Sequence, residues 1–220
     1  MFKVVSTSPT FGKFVKEPVL YLEEHDCQIH YLSENIISDE SLLSEELKDA
    51  DAYIVGFERV TSQFLKKSHK LKVVAKHGVG VDNIDVQALK EKNITLVFAP
   101  GGNKYAVAEF VFGLLLTASR NIHAAIDAVR EEKWPRMIGY DLYGKTIGVI
   151  GTGNIGKEVI KRAQGFHMNI LAVDLYPDHS FAKEIGFTYT SMETLLKNAD
   201  YITIHTSLND SSRALIGKKE

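Results

Sequence analysis

The sequence predicts an α/β protein of parallel sheets covered by helices, built as two successive units. Three observations carry this reading. Short β-branched runs alternate with helical patterns over the first hundred residues. The breaker PGGN (100–103) interrupts them and opens a long apolar helix. A second β-α-β alternation then starts at TIGVI (146–150). Strands that alternate with helices are joined by crossovers, and crossovers give parallel pairing.

The elements follow in order. KVVS (3–6) is a short strand. EPVLYLEEH (17–25) has helical spacing, with Val19, Leu20, Tyr21 and Leu22 set against Glu23 and Glu24. QIHYL (28–32) alternates as a strand does. Ser38 or Asp39 can cap a helix through Leu42, Leu43 and Leu47. AYIVG (52–56), LKVVAK (71–76) and ITLVFA (94–99) are strands, with helix DVQALKEKN (85–93) between the last two. Asn103 can cap the helix 104–121, which is apolar nearly all round and is therefore expected to be buried on several sides. HAAIDAVREEKW (123–134) is an amphipathic helix. After TIGVI come helix 156–166, strand NILAVD (169–174), helix 181–186, a short strand near 187–190, helix 192–199 and strand DYITIHTS (200–207).

Composition narrows the function classes. The chain has 220 residues, 45% hydrophobic and 25% charged, as ordinary globular domains do. A formal net charge of -2 and the absence of a long basic run give no reason to propose nucleic acid. Cys27 is the only cysteine, so no intrachain disulfide can form and a reducing cytoplasm is expected. The apolar stretch 106–119 contains Glu109 and is too short to span a bilayer, which takes ~20 apolar residues. No metal-ligating constellation stands out.

GTGNIG (151–156) supplies the chemistry. A GxGxxG match alone is weak; its context is not. A strand precedes it, a helix follows, a second strand comes next, and that strand ends in Asp174, 18 residues after Gly156. Gly151 allows the tight turn. Gly153 lets a pyrophosphate approach the backbone. Gly156 lets helix and strand pack closely. The helix N-terminus offers free N–H groups and a positive dipole. Asp174 would accept hydrogen bonds from the adenosine ribose and repel a 2′-phosphate, so NAD is favoured over NADP. His205, Thr206 and Ser207 follow the last strand, at the carboxyl ends where open α/β sheets bind ligands.

With these residues in place, the sequence resembles the D-isomer-specific 2-hydroxyacid dehydrogenases, nearest to their phosphoglycerate dehydrogenase branch. KVVAKHGVGVDNID (72–85), APGGNKYAVAE (99–109), GKTIGVIGTGNIGKEV (144–159) and ADYITIHTSLNDSSRALIG (199–217) carry the resemblance. It implies a flavodoxin-like substrate domain (1–100), then a Rossmann-type NAD-binding domain (101–220) of which only the first half is present. Gly78, Val79 and Gly80 would offer backbone N–H groups to a substrate carboxylate, although a plain strand-ending turn also explains the glycines. Lys76 would help hold an acidic substrate, or simply be solvated. Val79 would also approach the nicotinamide. Asn103 and Val107 would sit at the hinge near it, Asn103 as a substrate contact. Asn154 and Ile155 would touch the pyrophosphate. Thr206 would contact the cofactor near its ribose or pyrophosphate. His77 and His205 would lie at a loop flank and a strand end, and neither is assigned the base. Helix 104–121, with the arm to Trp134, resembles the family's dimerisation element and implies a homodimer.

One departure matters. The family reaction uses an Arg, a His and a Glu that lie beyond the segment matched by ALIG (214–217). No catalytic residue is therefore assigned here. The chain reads as a fragment, expected to be inactive by itself, of an NAD-dependent oxidoreductase acting on a 2-hydroxy or 2-oxo acid. The alternative is a non-catalytic module that binds NAD or a partner. Ser207 stands where the family usually has Pro.

Overall fold

The computed structural model describes residues 1–209 and 211–219. Asp210, inside the stretch 199–217 quoted above, and Glu220 lie outside the described residues. The chain divides into two compact units, Met1–Gly102 and the residues from Asn103 onward.

The first unit is a five-stranded sheet with helices between the strands. In chain order its elements are β1 (Phe2–Ser6), α1 (Glu17–Glu24), β2 (Cys27–Tyr31), α2 (Glu34–Ile37), α3 (Glu40–Glu46), β3 (Ala52–Val55), α4 (Ser62–Leu65), β4 (Val73–Lys76), α5 (Val86–Glu91) and β5 (Thr95–Val97). The strand order is β2-β1-β3-β4-β5, and each pairing is parallel. That is the flavodoxin-like order. Strand alternation sends Val5, Tyr53, Val55 and Val74 to one face. There they bury against Leu43 and Leu47, Phe64 and Leu65 of α4, and Leu89 of α5. Each such buried side chain contributes about 1.5–3 kcal/mol of transfer free energy. The opposite face carries Val4, Ile54, Val73 and Ala75. Phe11 and Leu22 cover it only in part, leaving an apolar concavity of about 440 Å³.

Local signals explain the helix starts. Asp39 caps α3, its carboxylate accepting from the Ser41 and Leu42 amides. Thr61 caps α4 through the Phe64 amide, and Asp85 caps α5 through the Ala88 amide. The structure adds α2 and α4 to the helices read from sequence. It also leaves no residue of α1 fully buried.

The second unit contains α6 (Lys104–Ser119), α7 (Ile122–Arg130), β6 (Thr146–Ile150), α8 (Asn154–Gly165), β7 (Asn169–Val173), α9 (His179–Ile185), β8 (Thr188–Tyr189), α10 (Met192–Asn198) and β9 (Tyr201–Ile204). Its sheet has the order β8-β7-β6-β9, all parallel. Counted within the unit this is 3-2-1-4, the opening of the dinucleotide-binding order. The core joins Ile147, Val149, Val159, Ile160 and Ala172 to Ala108 and Phe112 of α6. Phe112 stacks on Phe166 with centroids 4.9 Å apart. Arg162 of α8 ties the layers by reaching Glu158 on its own helix and Glu109 on α6, each at 3.0 Å.

The burial expected around α6 is not supplied by its own unit, and its expected cap is corrected. Only Ala108, Phe112 and Ser119 are buried, while Phe110 is 66% and Leu114 54% exposed. Within this unit the helix rests on α8 along one side, so its apolar circumference is not enclosed. Asn103 makes no side-chain cap. Its φ of -108° and ψ of 9° are not the extended backbone a capping side chain needs. Among the described residues no helix is long and apolar enough to cross a membrane.

Candidate functional site

The fingerprint turn leaves β6 at the point where the strand order reverses, between β6 and β9. Gly151 has φ +91°, and a Cβ there would lie 2.8 Å from the His205 carbonyl carbon and 2.9 Å from the Thr206 nitrogen. Both facts require glycine. Gly156 is buried, and its Cβ would fall 2.0 Å from the Gly151 oxygen. It is a packing glycine. Gly153 differs: its φ of -70° is ordinary and its Cβ would meet nothing within 4 Å. The fold does not demand glycine there; a ligand approaching the backbone would. Asn154, Ile155 and Gly156 open α8, where the first N–H groups have no helical acceptor.

Asp174 directly follows the neighbouring strand β7 and turns its carboxylate to this turn. Its Oδ2 accepts from the Thr152 amide at 2.5 Å and the Thr152 hydroxyl at 2.9 Å. Its Oδ1 accepts from the Tyr176 amide at 2.8 Å. Burial pushes its pKa up, but hydrogen bonds from Tyr176, Thr152 and the Leu175 backbone outweigh that and hold the carboxyl below the usual range. A carboxylate has about four acceptor positions, so Oδ1 keeps capacity for a hydroxyl.

The loop after β9 closes the other side. His205 donates its amide to Ile150, and its Nε2 lies 2.8 Å from the Thr203 hydroxyl. Burial lowers its pKa. Residues 205–207 are loop, not a continuation of the strand. Ser207, where the resemblance expects Pro, is held another way: its carbonyl accepts the Ser212 hydroxyl at 2.6 Å. Gly151, Gly153, Asp174, His205, Thr206 and Ser207 thus line one cleft of about 320 Å³. Asn154, Ile155, Gly156 and Val107 do not line it. Val107 is half-buried on α6, its amide bonded to the exposed Asn103. Among the described residues no group of His, Cys, Asp or Glu could hold a metal ion.

The second candidate group lies on the loop after β4 in the first unit. Lys76 does not extend free into solvent. Its Nζ donates to the Gly56 carbonyl at 2.5 Å and to Asn83 Oδ1 at 3.0 Å. Gly78 corrects the anion-nest expectation. Its amide donates back to the Lys76 carbonyl at 2.9 Å, and its carbonyl accepts from Ala99. The nest is thereby reduced to the amides of Val79 and Gly80, for which no partner exists among the described residues. Neither glycine has a positive φ. His77 Nδ1 is 2.5 Å from the Ser8 hydroxyl, and Phe11 meets its ring edge-on.

Comparison with known proteins settles what this arrangement belongs to. Residues 112–220 match the family described as D-isomer specific 2-hydroxyacid dehydrogenase, NAD binding domain. The D-3-phosphoglycerate dehydrogenase of Methanocaldococcus jannaschii is 43% identical over 188 residues, covering 84% of this chain and 36% of the relative. Residues 112–220 are therefore an NAD-binding domain of the D-isomer specific 2-hydroxyacid dehydrogenase family.

Other members agree. The glyoxylate reductase of Korarchaeum cryptofilum is 34% identical, covering 90% of this chain and 62% of the relative. The solved D-lactate dehydrogenase of Aquifex aeolicus, complexed with NAD and lactic acid, superposes with a TM-score of 0.81 at 28% identity. That match covers 96% of this chain and 62% of the other. The chain therefore spans about a third of the phosphoglycerate dehydrogenase and under two thirds of the other two. The family's NAD-binding domain takes in the cleft and the glycine turn. Two polar residues behind the cleft, Thr152 and Tyr189, escape a reading of the fingerprint, because the pattern leaves the position after the first glycine open.

Proposed function

We propose that the whole protein is an NAD-dependent D-2-hydroxyacid dehydrogenase, with a 3-phosphoglycerate-like acid among its candidate substrates. The reaction moves a hydride from C2 of the hydroxy acid to the nicotinamide, releases the hydroxyl proton to a base, and leaves a 2-oxo acid. The observation that carries the reading is the cleft at the strand-order reversal, lined by Gly151 and Gly153 of the glycine turn, by Asp174 and by residues 205–207. The open space at Gly153 and the acceptor capacity of Asp174 fit a dinucleotide. When bound, NAD supplies the two-electron acceptor. Residues 151–156 would hold its pyrophosphate, Asp174 its adenosine ribose, and residues 205–207 the adjoining part. In the first unit, the Val79 and Gly80 amides would face the substrate carboxylate. Lys76 would keep the loop in shape through Gly56 and Asn83, with one N–H left for an acidic substrate.

Hydride transfer by the whole protein tests this. NADH formation with a panel of D-2-hydroxy acids, or NADH consumption with the matching 2-oxo acids, is the expected result. No turnover with any of them sinks the proposal.

A second reading has its own support. His77 Nδ1 is committed to Ser8 and His205 Nε2 to Thr203. For these 220 residues alone, binding of NAD or a partner without turnover is the fitting role. We also propose a homodimer through α6, α7 and the arm to Trp134, where Phe110, Leu114, Ile126, Val129 and Trp134 are exposed. A cytoplasmic location belongs to the same proposal, supported by a lone free cysteine, Cys27.

A further inference from the structure

Behind Asp174 runs a line of hydrogen bonds whose proton order can be assigned completely. Asp174 is ionised and can only accept. The Thr152 hydroxyl has one proton, and the bond to Asp174 Oδ2 takes it. The 2.8 Å contact between the Thr152 and Tyr189 hydroxyls must therefore use the tyrosine's proton. Tyr189 oxygen in turn accepts the Asp178 amide at 3.1 Å. Donation runs one way: Asp178 N–H to Tyr189, Tyr189 to Thr152, Thr152 to the carboxylate. Such chains polarise each member in the same sense.

Each link is held in place. Thr152 is 4% exposed. The Tyr189 ring is packed edge-on by His179 and Phe187, with centroids 5.6 and 5.3 Å away. Asp178 caps α9 through the Phe181 amide and pairs with Lys157 of α8. If Asp174 swung aside, the buried Thr152 hydroxyl would lose its acceptor, and the line could not reverse to compensate, because the Asp178 amide at its far end can only donate. An unpaired buried hydroxyl is costly. No lysine or arginine lines the cleft among the described residues, and Leu175 and Tyr176 follow the carboxylate.

We infer that Thr152 and Tyr189 are positioning residues that set the preference for NAD over its 2′-phosphorylated form, by fixing the Asp174 carboxylate at the edge of the cleft. This rests on the dinucleotide reading proposed above. A mobile aspartate can rotate away from a 2′-phosphate; this one is held by hydrogen bonds from Thr152 and Tyr176.

The test is titration calorimetry of the 220-residue chain with NADH and with NADPH. Wild type is expected to favour NADH. Thr152→Val keeps the shape and the backbone amide's bond to Asp174 but removes the hydroxyl's bonds to Asp174 and Tyr189, and should shrink that preference about tenfold. Thr152→Ser restores the hydroxyl and should restore the preference. Tyr189→Phe should shrink it by about two- to fivefold, since Thr152 keeps its own proton for Asp174. A Thr152→Val chain that melts like wild type by circular dichroism and keeps the full preference overturns the inference. If that variant does not fold, an unchanged preference in Tyr189→Phe overturns it. Wild type that binds both dinucleotides equally also overturns it, and leaves the cleft a nucleotide site. Wild type that binds neither removes the dinucleotide reading and this inference together.

Discussion

Glycines 153 and 156 sit three residues apart in one motif, yet the structure gives them opposite duties. A Cβ on Gly156 would lie 2.0 Å from a backbone oxygen of Gly151 and 3.0 Å from its carbonyl carbon. Contact between such atoms needs more than 3 Å, so Gly156→Ala forces α8 away from the turn. Overpacking of this kind costs about 1–3 kcal/mol, and the rigid backbone partner puts it at the upper end. At about 4 °C per kcal/mol for a unit of roughly 100 residues, the second unit should melt about 8–12 °C lower. Gly153→Ala meets nothing within 4 Å at an ordinary φ of -70°. Its only cost is the poorer N-cap, offset by a less flexible unfolded chain, so stability should stay within about 1 kcal/mol. Dinucleotide affinity should nevertheless fall at least about tenfold, since the methyl fills the approach to the backbone. Circular dichroism melts and NADH calorimetry on both variants separate the effects. Gly153→Ala binding NADH as wild type does, or Gly156→Ala melting with it, would refute the division of roles.

Leu195 is fully buried in α10, and a Cβ on Gly148 would lie 2.6 Å from its Cδ2. Leu195→Ala should cost about 2–5 kcal/mol in urea unfolding. Adding Gly148→Ala should recover about 1 kcal/mol of it, and strictly additive losses would contradict the contact. His205 has its pKa lowered by burial. Below about pH 6.5 the unfolded chain takes the proton first, so stability falls until the folded pKa is passed. A His205→Asn chain should lose less stability over that range, and proton NMR should place the His205 titration below that of an exposed histidine. Asp174, held below the usual carboxylate range, contributes stability that is present above about pH 4 and is lost as pH falls through its folded pKa. Asp174→Asn should flatten that acid limb of the urea-unfolding profile. The proposed dimer of the 220-residue chain should sediment at twice 24.6 kDa. Phe110→Asp should weaken it by about 100-fold or more; a monomeric wild type at micromolar concentration would dispose of it.

Much of this was legible from residue order because the signals are local. The GTGNIG turn, the preceding TIGVI and the trailing Asp174 form one βαβ unit, and parallel pairing follows from the crossover. What stayed hidden depends on distant partners or on very short elements. Helices α2 and α4 are single turns with no periodicity to read, although the Thr61 cap on the Phe64 amide was a usable signal for the second. The Thr152–Tyr189 contact joins residues 37 apart. It exists only because β8 pairs with β7 in a register that sets Tyr189 beside Ala172. Lys76 carries a charge in any reading, but only the fold shows that Asn83 and Gly56 engage it. The same holds for Gly78, whose amide the turn itself consumes.

The partly covered face of the first sheet has a practical consequence for every melt described above. Dyes such as ANS brighten on exposed apolar surface, which is why they report partly folded states. Here the folded chain already offers them a concavity lined by Phe2, Phe11, Leu22, Val73 and Ala75, none of them fully buried. A dye-monitored melt should therefore begin bright, and its later rise will understate the transition.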